Sequence, residues 1–145
     1  MTSEQLIQAL ARRLGLENLE PEEPGRWRIV FDGDLAVDLR TLGPKTVRFE
    51  ATIGKPPEDE YQQEQFLRFA LARNLSLLGE GVARNVLFLD PDRAILSIHK
   101  AVNAEDFDEE TFAESAEDFV NASEAWLEFA AVEADPTPPG LAMRL

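Results

Sequence analysis

Between Arg26 and Ile53, apolar residues occupy every second position in three successive runs, and this alternation constrains the fold more than any other feature. The runs are Trp27, Ile29, Phe31; then Leu35, Val37, Leu39; then Val47, Phe49, Ala51, Ile53. Side chains of a strand point alternately to its two faces, so each run predicts a strand with one apolar side. Asp32-Gly33 stands between the first two and suits a type I′ turn, which needs positive φ at both central residues. Leu42-Gly43-Pro44 makes the next turn. The expectation is an antiparallel meander whose apolar face must be covered by something else.

Helical patterns on either side supply the cover. Thr2 with Gln5 reads as a capping box that opens a helix to about Leu14, with Gly15 as its stop. Leu6, Ile7, Leu10 and Leu14 share one face of it. Glu58 to Leu78 holds no Gly or Pro and reads as a second helix, ended by Gly79 and Gly81. Its apolar residues Phe66, Leu67, Phe69, Ala70, Leu71, Leu75, Leu77 and Leu78 cover a wider arc than one sheet contact requires. That predicts burial on two sides. Val86–Leu89 and Ala94–Val102 form a second hairpin around Asp90-Pro91-Asp92. Asn103 with Asp106 then begins a last helix to about Val132, with Phe112, Ala116, Phe119, Val120, Trp126, Leu127 and Ala130 as its core stripe. The order α-β-β-β-α-β-β-α is an α+β fold, a twisted antiparallel sheet with three helices. Residues 1–135 are expected to form one domain, and 136–145 a Pro-rich tail.

Charge narrows the function classes. The chain has 145 residues and a formal net charge of −14. Twelve of its 28 acids lie between Asn103 and Asp135, where there is no Lys or Arg; the other 16 nearly balance the 14 bases. The acidic run is read as the solvated face of the last helix, which keeps the protein soluble by mutual repulsion. This balance argues against binding nucleic acid or anionic lipid, both of which call for Lys and Arg. No stretch has the length and character of a membrane span or of a secretory signal, so a cytoplasmic protein is expected.

The residues of catalysis are sparse. There is no cysteine and one histidine, His99, too few for a typical zinc site. No carboxylate is marked by the sequence as its orienting partner. Asp90-Pro91-Asp92 lacks the ligand spacing of a calcium loop and reads as a turn. Gly79-Glu80-Gly81 matches neither phosphate-binding fingerprint and reads as a helix end. The carboxylates of the last helix face solvent rather than a cleft. No cofactor, metal or catalytic residue is expected, which leaves a binding protein, with an enzyme using His99 and a neighbouring acid as a distant third reading.

Leu10-Ala11-Arg12-Arg13-Leu14-Gly15-Leu16, then Arg28-Ile29-Val30-Phe31-Asp32-Gly33 and Leu35-Ala36-Val37-Asp38-Leu39, carry a resemblance. With the element order, the Leu-rich middle helix and Trp126 in the last, the chain resembles the Tir-chaperone family of bacterial type III secretion over about residues 3 to 132. The tail is a departure from that pattern. The resemblance implies a cytosolic homodimer, built largely through the middle helix, without nucleotide or catalysis. It also implies binding of the N-terminal segment of a secreted effector in extended form, until the secretion ATPase takes the cargo. The alternative it leaves open is a regulator that sequesters a transcription-control partner of the secretion system.

Phe66, Phe69, Ala70, Arg73 and Leu77 are the expected dimer contacts. Leu6, Leu10, Leu14, Ile29, Val30, Phe31 and Val37 are the expected effector-binding residues, and periodicity does not decide which sheet face meets the cargo. An exposed sheet edge can also accept an extended peptide as an added strand.

Overall fold

The alternating runs form strands where the pattern places them. The structure, a computed structural model, describes residues 1–16, 18–31, 34–77, 85–90 and 92–134, without the side chains of 73–77 and 131–134. Its elements are α1 (Ser3–Arg13), β1 (Arg26–Phe31), β2 (Leu35–Thr41), β3 (Thr46–Gly54), α2 (Glu60–Leu77), β4 (Val86–Asp90), β5 (Ile95–Asn103) and α3 (Glu109–Ala134). The expected turn at Asp32-Gly33, the stops at Gly79 and Gly81, Pro91 and the tail 136–145 lie outside the described residues.

All five strands join one antiparallel sheet in the order β1-β2-β3-β5-β4. The second hairpin therefore extends the first meander through β5, and β1 and β4 are left as edges. Register keeps the apolar set together: Trp27 faces Leu39, Leu39 faces Phe49, and Ala51 faces Ile98 across neighbouring strands. A one-residue slip would turn each set to the other face.

The helices pack on this apolar face. Thr2 and Gln5 form the capping box, with Gln5 N donating to Thr2 Oγ1 at 3.2 Å and Thr2 N donating to Gln5 Oε1 at 2.9 Å. Gly15, at φ 80°, ends the helix: its N–H donates to Arg12 O, and Leu16 N–H reaches back to Ala11 O. Those two bonds satisfy carbonyls that the last turn would otherwise leave open. Ser3 holds the start of α1 on the β2–β3 turn, donating from Oγ to Gly43 O at 2.8 Å.

The last helix starts later than the Asn103–Asp106 pattern predicts. Asn103 caps only a single 3-10 turn, Ala104–Asp106, after which Phe107 is extended. Asp108 then caps α3, with Thr111 N donating to Asp108 Oδ1 at 2.8 Å and Asp108 N donating to Thr111 Oγ1 at 3.0 Å. The break lets Phe107 turn inward, edge-on to Phe112 with ring centroids 6.4 Å apart.

At the centre of the core Phe49 lies between Phe112 and Phe119, at centroid distances of 5.4 Å each. A second aromatic group, Phe66–Phe129–Trp126, joins α2 to the far part of α3 at 5.6 and 5.4 Å. One polar residue interrupts the apolar side of β5. Lys100 is buried where Leu96, Ile98 and Val102 also point inward. Its Nζ donates to Ser115 O at 3.4 Å, while the buried Ser115 Oγ has no hydrogen bond. Burial lowers the Lys100 pKa, against a smaller upward pull from Asp118.

A folded-state Lys pKa below the unfolded value means that the unfolded chain binds more protons in the window between them, so stability rises with pH there. Below that window the full penalty is present. Lys100→Met is expected to raise stability at neutral pH by about 1 kcal/mol or more and to flatten this alkaline rise. Urea unfolding of both proteins at roughly pH 7 and roughly pH 10 checks it.

Candidate functional site

The expected binding residues divide sharply once packing is visible. Leu6, Leu10, Ile29 and Val37 are buried in the subunit's own core. They face the sheet–helix interior, so no surface-bound peptide reaches them without opening the core, and they are removed from the effector-binding set. Phe66 and Ala70 are likewise buried in this core and are removed from the dimer set. The side chains of Arg73 and Leu77 lie outside the described residues. The residues that meet solvent are Leu14 and Val30, the latter 57% exposed, with Phe31 half-buried, and on α2 Phe69 at 54%.

The wide apolar arc of α2 has a simple geometry. Phe66, Leu67 and Ala70 turn toward the core, while Tyr61, Phe69 and Leu71 stand in water. Beside α2 runs the edge strand β4, whose Val86, Phe88 and Leu89 are exposed on both of its faces. A two-sided apolar edge strand is a ready template for pairing with another chain. Sequence periodicity did not mark β4 as an exposed edge because a short apolar run looks the same in a core strand as in an edge strand. Leu16, beyond the cap of α1, was also missed and is exposed beside Leu14.

The other side of the sheet is different in kind. The outward positions of β1, β2, β3 and β5 carry Arg26 and Arg28, Asp38 and Arg40, Arg48 and Glu50, and Ser97 and His99. Arg28 Nε donates to Asp38 Oδ1 at 2.9 Å, and this bond raises the Arg28 pKa. Arg40 Nε donates to Glu50 Oε2 at 3.2 Å, and Arg48 pairs with the same carboxylate. His99 lies 5.2 Å from the Phe88 ring and 3.1 Å, through Nε2, from Ser97 Oγ. Burial lowers its pKa, with Glu50 opposing and Arg48 and Arg40 reinforcing the shift. Among the described residues no group of three His, Cys, Asp or Glu side chains is placed to hold a metal ion. No described helix is long and apolar enough to cross a membrane.

Among the described residues, apolar side chains are thus exposed on α2 and β4 while the outward sheet face is polar. The model of the Tir chaperone protein (CesT) family matches residues 5–127, from within α1 into α3. The chain belongs to this family. Its members are type III secretion chaperones, as the sequence resemblance implied. The fold is similar to that of the HopA1–SchA chaperone–effector complex, with TM-score 0.66 and 17% identity, covering 86% of this chain and 92% of the other. It is also similar to the Yersinia pestis secretion chaperone SycH in complex with a fragment of YscM2. There the TM-score is 0.61 at 24% identity, over 86% of this chain and 99% of the other. The ExsC–ExsE complex gives 0.63 at 18%, over 87% and 91%. No curated protein matches the chain.

His99 makes stability depend on acid. Its folded pKa is below the unfolded value near 6.5, so acidification first protonates the unfolded chain and stability falls as pH drops through that value. His99→Gln is expected to flatten this loss. The check is the shift of the urea midpoint between roughly pH 7.5 and pH 5, smaller in the variant than in the parent.

Proposed function

We propose that this chain is a cytosolic effector chaperone that works as a homodimer and holds the N-terminal segment of a secreted effector in extended, secretion-competent form. The family match across residues 5–127 carries the reading. What the chain leaves in water supports it. Phe69 and Leu71 of α2 are exposed beside the edge strand β4, whose exposed Leu89 points to the helix side of the sheet and whose exposed Val86 and Phe88 point to the other. A self-complementary patch of this kind suits a two-fold dimer, with Arg73 and Leu77 further along the same helix as contacts.

Val30 and Phe31 of β1, at the other edge, with Leu14 and Leu16 at the end of α1, are the cargo candidates. An extended segment adding to that edge gains main-chain hydrogen bonds and places alternate side chains on the apolar residues. Ordering such a segment costs free energy that apolar contact must offset. The role needs neither cofactor nor catalysis, and delivery to the secretion ATPase would follow cargo binding. The likeness to ExsC–ExsE favours one second reading, the sequestering of a transcription-control partner by the same surfaces.

Phe69→Asp places a charge in the dimer contact, where desolvating it is costly, and is expected to give monomers or aggregates by light scattering. A parent protein that is itself monomeric would overturn the dimer. Co-expression with the N-terminal segment of an effector encoded beside the chaperone is expected to yield a stable complex of two chaperones per effector. Val30→Asp is expected to weaken that complex while leaving the dimer intact. A deletion that altered secretion-gene expression, with effector levels unchanged, would instead favour the regulatory reading.

A further inference from the structure

His99 is half-buried on the sheet face that carries no helix, and it stands where the edge strand β4 meets the charged part of that face. Register puts Glu50 of β3 opposite it on one side and Val86 of β4 opposite it on the other. Phe88, two residues along β4, lies opposite Ser97, and its ring reaches the imidazole at a centroid distance of 5.2 Å with the planes tilted by 39°. Ser97 Oγ is 3.1 Å from Nε2. The imidazole is thus covered by β4 on one side and faces charge on the other.

Those charges make a poor home for an imidazolium. Glu50 favours a proton on His99, but it already accepts from Arg40 at 3.2 Å and pairs with Arg48. Arg48 and Arg40 oppose a further cation. They stand in one row with Arg26 across β1, β2 and β3. Further along the face Arg26 and Arg28 share Asp38, and Glu23 reaches Arg26. Asp90 at the end of β4, Arg93 in the turn after it and Glu124 of α3 line the same groove. Lys100, next on β5, points into the core, and Val86, Leu87 and Phe88 of β4 are not ionisable. The face of an exposed ring such as Phe88 attracts a cation only weakly.

A charged His99 gains most by recovering water. β3 and β5 are interior strands of the sheet, whereas β4 is an edge bonded in it to β5 alone among the described residues. Opening an edge locally takes less free energy than disturbing the core strands. Lifting β4 with its Phe88 is therefore the easiest way to rehydrate the ring. We propose that His99 is an acid-sensitive latch for β4: protonation releases this edge strand while β1, β2, β3 and β5 stay paired. The latch lies within one subunit and depends on neither the dimer nor the effector reading. With β4 closed, burial holds the His99 pKa below 6.5, and with β4 open it returns toward that value. Opening therefore grows as pH falls through the interval between the two and levels off below it.

The test is amide hydrogen exchange of the full chain, read by NMR between roughly pH 7.5 and roughly pH 5.5 and corrected for the intrinsic pH dependence of exchange. The His99 ring is titrated on the same sample. Protection of the β4 amides is expected to fall by about threefold or more, with a midpoint that follows the His99 titration, while the other edge, β1, keeps its protection. His99→Gln is expected to remove the change at β4. Phe88→Ala uncovers the ring without removing it, and is expected to move the His99 pKa up toward 6.5 and to lessen the pH dependence. Light scattering is expected to give one molar mass across the range. An equal loss of protection in β1 and β4, a loss that persists in His99→Gln, a midpoint away from the His99 titration, a His99 pKa unmoved by Phe88→Ala, or a fall in mass that accounts for the change at β4 would each overturn the proposal.

Discussion

The stack of Phe49 between Phe112 and Phe119 is the contact on which the rest of the structure depends. Phe49 lies on β3, the middle strand of the five, and its two partners lie about two turns apart on one face of α3. The stack fixes where the longest helix crosses the sheet. From there α3 runs on to Trp126 and Phe129, which receive Phe66 and so place α2. Aromatic pairs of this geometry add about 0.5–1.5 kcal/mol each beyond the area they bury. Four of them in sequence tie sheet and helices into one core.

Placing the helices on one face has two consequences, and both concern binding. The opposite face stays open to water, where arginines and carboxylates satisfy each other instead of being buried. The core also has room for only one side of α2, so Phe69, Leu71 and Tyr61 remain outside, on the helix beside the edge strand β4. A chain that repels itself through 12 acids between Asn103 and Asp135 can carry such apolar surface without indiscriminate association. Charge and stickiness are then kept on different parts of the molecule. The described acids of α3 lie mostly in water, and the exposed apolar groups lie on α1, β1, α2 and β4.

Most of the fold was legible because alternation and capping are local. The three runs from Trp27 to Ile53 state their own period, and Thr2, Gln5 and Gly15 mark the ends of α1 by their own hydrogen bonds. The error at Asn103 has a local cause too, since its side chain does cap a turn, but the inward pull of Phe107 ends that turn after three residues. The binding residues were much less legible. Leu6 and Leu14 have the same character and the same helical face, yet one is enclosed and the other lies at the cap in water. Likewise Phe66 and Phe69 differ only in which side of α2 the Phe129 ring occupies. An apolar residue destined for a partner and one destined for the core obey the same transfer free energy.

By itself the sequence determined the element order, the apolar face of the sheet, the family resemblance and the concentration of net negative charge between Asn103 and Asp135. These follow from period, propensity and composition, which act over a few residues. The tertiary structure alone decided that the second hairpin joins the sheet through β5 and leaves β4 as an edge. It alone decided which apolar residues stay in water, and that Arg26, Arg40 and Arg48 stand side by side. Those outcomes depend on strand order and register between segments far apart in the chain, and no local pattern encodes which segment will be the neighbour.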